Sequence, residues 1–122
     1  MAKTINKLFK IEDDIYQSCL GLYIGKKEKF NEYLKNLGIP EDMYANGIGK
    51  CIMYNGINLI WIPSINGYQA MGNLIHELHH FACNLFDERG IPITVENDEA
   101  MAYYKGMIFR NILKKLKIKI TQ

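Results

Sequence analysis

The chain has 122 residues, 48% hydrophobic and 23% charged, with a net charge of +2. This is the balance of an ordinary globular chain with one modest core, so a single domain over 1–122 is expected. So small a charge argues against a nucleic-acid partner, which needs a concentrated positive face, and no apolar run approaches membrane-spanning length.

Met1 to Lys10 carries charges but no apolar core of a targeting signal, so neither secretion nor membrane insertion is expected. From Ile11 to Gly25, Asp13-Asp14 is followed by Ile15, Tyr16, Cys19, Leu20, Leu22, Tyr23 and Ile24, a β-branched and aromatic run that predicts one strand or a short hairpin. Phe30, Tyr33, Leu34 and Leu37 then recur at helical spacing within Lys26 to Leu37, ahead of a stop at Gly38 and Pro40. Glu41 to Gly47 reads as loop. Ile48 to Tyr54 and Ile57 to Ile62 flank Asn55-Gly56, whose two residues tolerate the positive φ of a tight turn, so a hairpin is expected. Pro63 ends the second run and suits a strand end or a sheet edge, to which an extended peptide could add by main-chain hydrogen bonds.

The next segment organises the rest. Met71, Leu74, Ile75, Leu78, Phe81, Ala82, Leu85 and Phe86 recur at helical spacing; Asn73 to Arg89 contains no Gly or Pro, and Gly90 with Pro92 closes it. Inside this helix lies His76-Glu77-Leu78-His79-His80, with all three histidines of the chain within five residues. His76 and His80 are i and i+4 neighbours on one helical face, so both imidazoles can converge on one metal ion. Glu77 can reach a water bound to that ion as its general base. His79 sits beside this pattern without a fixed role.

A last helix starts near Asn97 or Asp98, with Met101, Tyr104, Ile108, Ile112 and Leu116 along one stripe and the basic run Lys114 to Lys119 at its solvated end. A catalytic zinc takes three protein ligands, and with no histidine left the third must be a carboxylate or a cysteine. Cys83, i+3 from His80, is awkward because three ligands on one straight helix rarely close round a tetrahedral ion. Glu99, with eighteen residues between it and His80, is geometrically easier; Glu96 is the reserve, and Asp98 suits an N-cap or a partner to a ligating histidine. Cys19, Cys51 and Cys83 are odd in number, widely spaced and set among apolar residues, which suggests buried, reduced thiols and a cytoplasmic setting.

His76-Glu77-x-x-His80 followed by Glu99 resembles the gluzincin branch of zincin metallopeptidases. The stretch Asp98-Glu99-Ala100-Met101-Ala102-Tyr103 further resembles small zincin-like proteins of phages and prophages. The resemblance covers Ile75 to Gly106. It implies an α+β minimal zincin fold, with a small mixed or antiparallel sheet packed on the His-Glu helix and a following glutamate helix. It also implies a zinc ion on His76, His80 and Glu99, Glu77 as general base, and hydrolysis of a peptide or protein substrate. Many large gluzincins carry an acid four residues after the third ligand. Here that position is Tyr103, so Asp98 or Asp87 would have to orient the histidine, or Tyr103 would point its hydroxyl at a developing oxyanion. Tyr104 is expected to pack in the core. The alternative function is a zinc-binding module of zincin fold without turnover.

Overall fold

A computed structural model describes residues 5–118. The first hairpin pairs β1 (Lys7–Glu12) with β2 (Cys19–Ile24), and α1 (Lys27–Asn36) follows. A short 3₁₀ turn, Glu41–Met43, leads into the second hairpin, β3 (Lys50–Tyr54) with β4 (Ile57–Ile62). Then come α2 (Gly67–Glu88), a second 3₁₀ turn (Val95–Asn97) and α3 (Asp98–Lys115).

The strands form one sheet in the order β1-β2-β4-β3. Both hairpins are antiparallel, and β2 and β4 join them by a parallel seam that registers Gly21 with Leu59 and Ile24 with Ile62. The fold is therefore α+β with a mixed sheet, as expected. No described helix is long and apolar enough to cross a membrane.

Strand alternation sorts the core into two layers. Leu22, Ile24, Ile60 and Ile62 face Leu74, Leu78, Phe81 and Phe86 of α2 and Tyr104, Ile108 and Ile112 of α3. Tyr23, Leu59 and Trp61 face the other way, against Phe30 and Leu34 of α1. Each large apolar side chain so buried contributes roughly 1.5–3 kcal/mol relative to exposure. Trp61 fixes the inner strand by donating its indole N–H to the Gly25 carbonyl at 2.9 Å.

All three helices close the same way. After α2, Gly90 N–H reaches the Asp87 carbonyl and Ile91 N–H the Phe86 carbonyl, with Gly90 at φ +71°. Gly38 plays the same part after α1, and Lys117 (φ +59°) after α3. Each residue adopts the left-handed conformation that lets two orphan carbonyls find partners.

Several expectations shift. The first segment takes the hairpin form, but its first strand starts at Lys7, and Asp13 to Ser18 is a turn rather than strand. The turn is built by Asp13, whose carboxylate accepts the Tyr16 N–H at 2.8 Å, a local bond that competes with a ladder. β4 is interior rather than an edge, and Pro63 follows its end; the free edge beside α2 is β3. Cys19 is exposed and Cys51 and Cys83 are half-buried, all three as free thiols, so the expectation of buried cysteines does not hold. Ile75 of the expected apolar stripe is exposed, while Glu77 is buried. Of the basic run, Lys114 and Lys115 lie in the last turn of α3, and Lys119 lies outside the described residues, as do Met1 to Thr4.

Candidate functional site

α2 presents its polar residues along the groove beside β3. His76 and His80 are exposed, and their Nε2 atoms stand 3.2 Å apart. Two nitrogens bound to one tetrahedral ion at 2.0–2.1 Å stand about 3.3 Å apart, so this pair is spaced as a two-imidazole chelate. Without an ion, the same separation serves one N–H···N hydrogen bond.

Glu77 lies one residue on and is only 9% exposed. Its carboxylate borders two cavities. One, of about 360 Å³, is lined by Ile48, Gly49, Gly72, Asn73 and His76; the other, of about 310 Å³, by Gly49, Lys50, Cys51, His80 and Asn84. Among the described residues no donor is hydrogen-bonded to this carboxylate, yet no buried side-chain oxygen is orphaned, so its oxygens must meet solvent in those cavities. Gly49 makes room for it: a Cβ there would lie 3.0 Å from Glu77 Oε2 and 3.2 Å from its Cγ. Two residues on, in β3, burial first and the Glu77 charge second push the Cys51 thiol up to about 12, with Lys50 opposing. Cys51 is therefore a neutral thiol at physiological pH.

His79 belongs to a different cluster. Its Nε2 is 3.4 Å from Cys83 Sγ and its Nδ1 3.2 Å from Lys105 Nζ of α3. Burial, then the charges of Lys105, His80 and His76, hold its pKa below the usual histidine range. It thus meets Lys105 as a neutral acceptor.

The structure does not bring Glu99 to the histidines. Glu99 and Tyr103 share a third cavity, of about 320 Å³, with Ile15, Tyr16, Ala100 and Tyr104. Among the described residues, no three His, Cys, Asp or Glu side chains are grouped to hold a metal ion. Helix rotation is the reason. The buried stripe Met101, Tyr104, Ile108 and Ile112 fixes which side of α3 meets the core, and Glu99, five residues before Tyr104, lies about 140° round from it. Lys105, about 100° the other way, faces α2 instead.

The remaining acids, Glu96, Asp98 and Asp87, are exposed. Asp98 opens α3 but is not its N-cap; Asn97 holds that position and spends its side-chain N–H on the Pro92 carbonyl at 2.6 Å. Tyr103 is 63% exposed, whereas Tyr104 is buried as expected. The Tyr104 hydroxyl donates to Asp13 at 2.8 Å, and Ser18 shares the same carboxylate oxygen. Gly49, Lys50 and Asn84 join the site without a motif of their own, and Cys51 joins it in addition to being one of the three thiols; the hairpin preceding the histidine helix is the sequence signal for Gly49, Lys50 and Cys51.

No protein-family model, no curated protein and no solved structure matches this chain.

Proposed function

We propose that the chain is a zinc-dependent peptidase in which His76 and His80 hold the ion and Glu77 is the general base. The carrying observation is the 3.2 Å spacing of the two Nε2 atoms beside a buried carboxylate that opens on the same groove. The donor chemistry fits the group for these two ligands; Glu99 and Tyr103, which the resemblance assigns to the same site, line another cavity and take no part in the steps below. A bound zinc ion supplies Lewis acidity toward a scissile carbonyl and acidifies water.

The chain's own residues supply the rest. A carboxylate without protein donors is free to accept a proton from an attacking water and to pass it to the leaving amine, and among the described residues none donates to Glu77. β3, the edge strand whose start borders the smaller Glu77 cavity, offers unpaired main-chain groups to an extended peptide. We assign a peptide or protein substrate on this ground, no nucleic acid, and a reducing cytoplasmic setting in keeping with three free thiols.

One observation favours a second reading, a zinc-binding module without turnover: the described residues do not assemble a third ligand. Elemental analysis of protein purified without chelator, beside His76→Ala and beside cleavage of a peptide library by wild type and Glu77→Gln, separates the readings. About one zinc per chain, lost with His76→Ala, and chelator-sensitive cleavage absent from Glu77→Gln is the expected result. Zinc without cleavage selects the silent module, and no zinc after metal is added back removes both.

A further inference from the structure

The cavity at the start of α3 is built from unlike parts. Tyr16 and Tyr104 form its walls, with ring centroids 5.0 Å apart and planes at 64°. Tyr16 is braced from behind by Phe86 at 5.3 Å. Both walls are tied to Asp13, which takes the Tyr16 N–H at 2.8 Å and the Tyr104 hydroxyl at 2.8 Å. Asp13 is itself 7% exposed, so the aromatic wall is held by a buried carboxylate rather than by loose packing. Ile15 and Tyr103 add two exposed apolar surfaces at the cavity.

Against this apolar lining stands one charge, Glu99. Among the described residues the ion pairs are Lys29 with Glu32 and Arg89 with Glu88, so Glu99 has no cation within pairing distance. Arg89 is the cation held near this turn, and it is already engaged, donating to the Tyr16 carbonyl at 3.0 Å and to Glu88 at 3.1 Å. An unpaired carboxylate beside angled tyrosine rings favours a cation with an apolar or planar body at this cavity. A volume of about 320 Å³ is at the small end for ligand pockets and suits one long side chain.

We infer that this cavity binds the guanidinium of an arginine side chain from a peptide partner, with Glu99 as its counter-ion and Tyr103 and Tyr16 as its stacking surfaces. Arginine fits better than lysine on two counts. Its planar head can stack on a ring while forking to a carboxylate, and it is more weakly hydrated than an ammonium, so less is lost on leaving water. A single carboxylate with no second donor makes a metal ion a poor occupant.

The test is a titration of isotope-labelled protein with N-acetyl-arginine methylamide, followed by backbone amide NMR, beside the lysine analogue and beside N-acetyl-citrulline methylamide, a neutral isostere. Saturable shifts centred on Ile15, Ala100 and Tyr103 are expected with arginine, weaker ones with lysine and none with citrulline. Glu99→Gln should weaken arginine binding by about tenfold or more, Tyr103→Ala by less, and His76→Ala not at all. Glu99 is exposed, so the amide spectrum of Glu99→Gln away from the cavity should overlay that of wild type. Equal shifts with arginine and citrulline, shifts centred on His76 and His80, or unchanged binding by Glu99→Gln would overturn the inference. Loss of bound zinc on Glu99→Gln would do so as well, because it would return Glu99 to the histidine site.

Discussion

Two carboxylates are buried in this molecule among the described residues, and they are treated in opposite ways. Asp13 receives the Tyr16 N–H and the hydroxyls of Ser18 and Tyr104, so every part of its charge is answered by a donor. Glu77, buried to a similar degree, has no such partner and instead looks into two cavities. Protein donors answer the first charge, and solvent in the cavities answers the second. Asp13 thus reads as a structural tie between the first turn and α3, and Glu77 is the group to which the proposed function gives the proton transfer. The same residue chemistry has been given two jobs by its donors.

The largest expected effect tests Glu77. Under the proposed function, Glu77→Gln should lower peptidase activity by about 10²- to 10⁴-fold while shifting the unfolding midpoint little, because among the described residues no donor is bonded to this carboxylate. A loss of stability with activity retained would erase the contrast. For Asp13→Asn the balance is reversed: an amide cannot accept all three donors as the carboxylate does, so unfolding free energy should fall by about 2–4 kcal/mol in denaturant titrations.

The pH dependence of that stability follows from the same bonds. Burial alone would raise the Asp13 pKa, but the hydrogen bonds from Ser18, the Tyr16 N–H and Tyr104 outweigh it and hold the carboxyl below its ordinary value. A depressed native pKa stabilises the fold above the unfolded value of roughly 3.9, and that contribution disappears as pH falls through the native value. Wild type should therefore lose stability below about pH 4 more steeply than Asp13→Asn, as read by denaturant midpoints at successive pH values.

The smallest effect sharpens how tightly Glu77 is held. Gly49→Ala places a methyl 3.0 Å from Oε2, so the carboxylate must give way by a few tenths of an ångström. Activity should drop by about tenfold, with stability changed by about 1 kcal/mol or less. An unchanged rate would mean that the position of the carboxylate is not tuned.

The sequence was most legible where one residue type does one local job. Asn55 and Gly56 adopt φ of +48° and +79°, which few other pairs tolerate, and the hairpin lies where they put it. Gly38 and Gly90 end helices for the same reason. Legibility failed where a side chain overrides its own propensity, as at Ile15 and Tyr16. These β-forming residues sit in a turn because Asp13 binds the backbone three residues on. A count of residues along the chain also says nothing about helix rotation, which puts Glu99 on the cavity with Tyr16 and Tyr104. The stripe from Met101 to Ile112 carried that information and points Lys105, not Glu99, toward α2. His76, Glu77 and His80 share a groove because their spacing lies within one helix, where no second element can reorient them.

The parallel seam between β2 and β4 bears on the order in which the molecule forms. Each hairpin closes a short loop and can fold on its own timescale of microseconds, but the seam joins residues about forty positions apart and must wait for the chain through α1 to turn back. The sheet is thus two local hairpins joined by its longest-range pairing. Gly49, just before β3, and Lys50 and Cys51 at its start belong to the second hairpin. The groove above Glu77 is complete only when α2 meets that hairpin, so a chain caught before docking has its chemistry encoded but not yet enclosed.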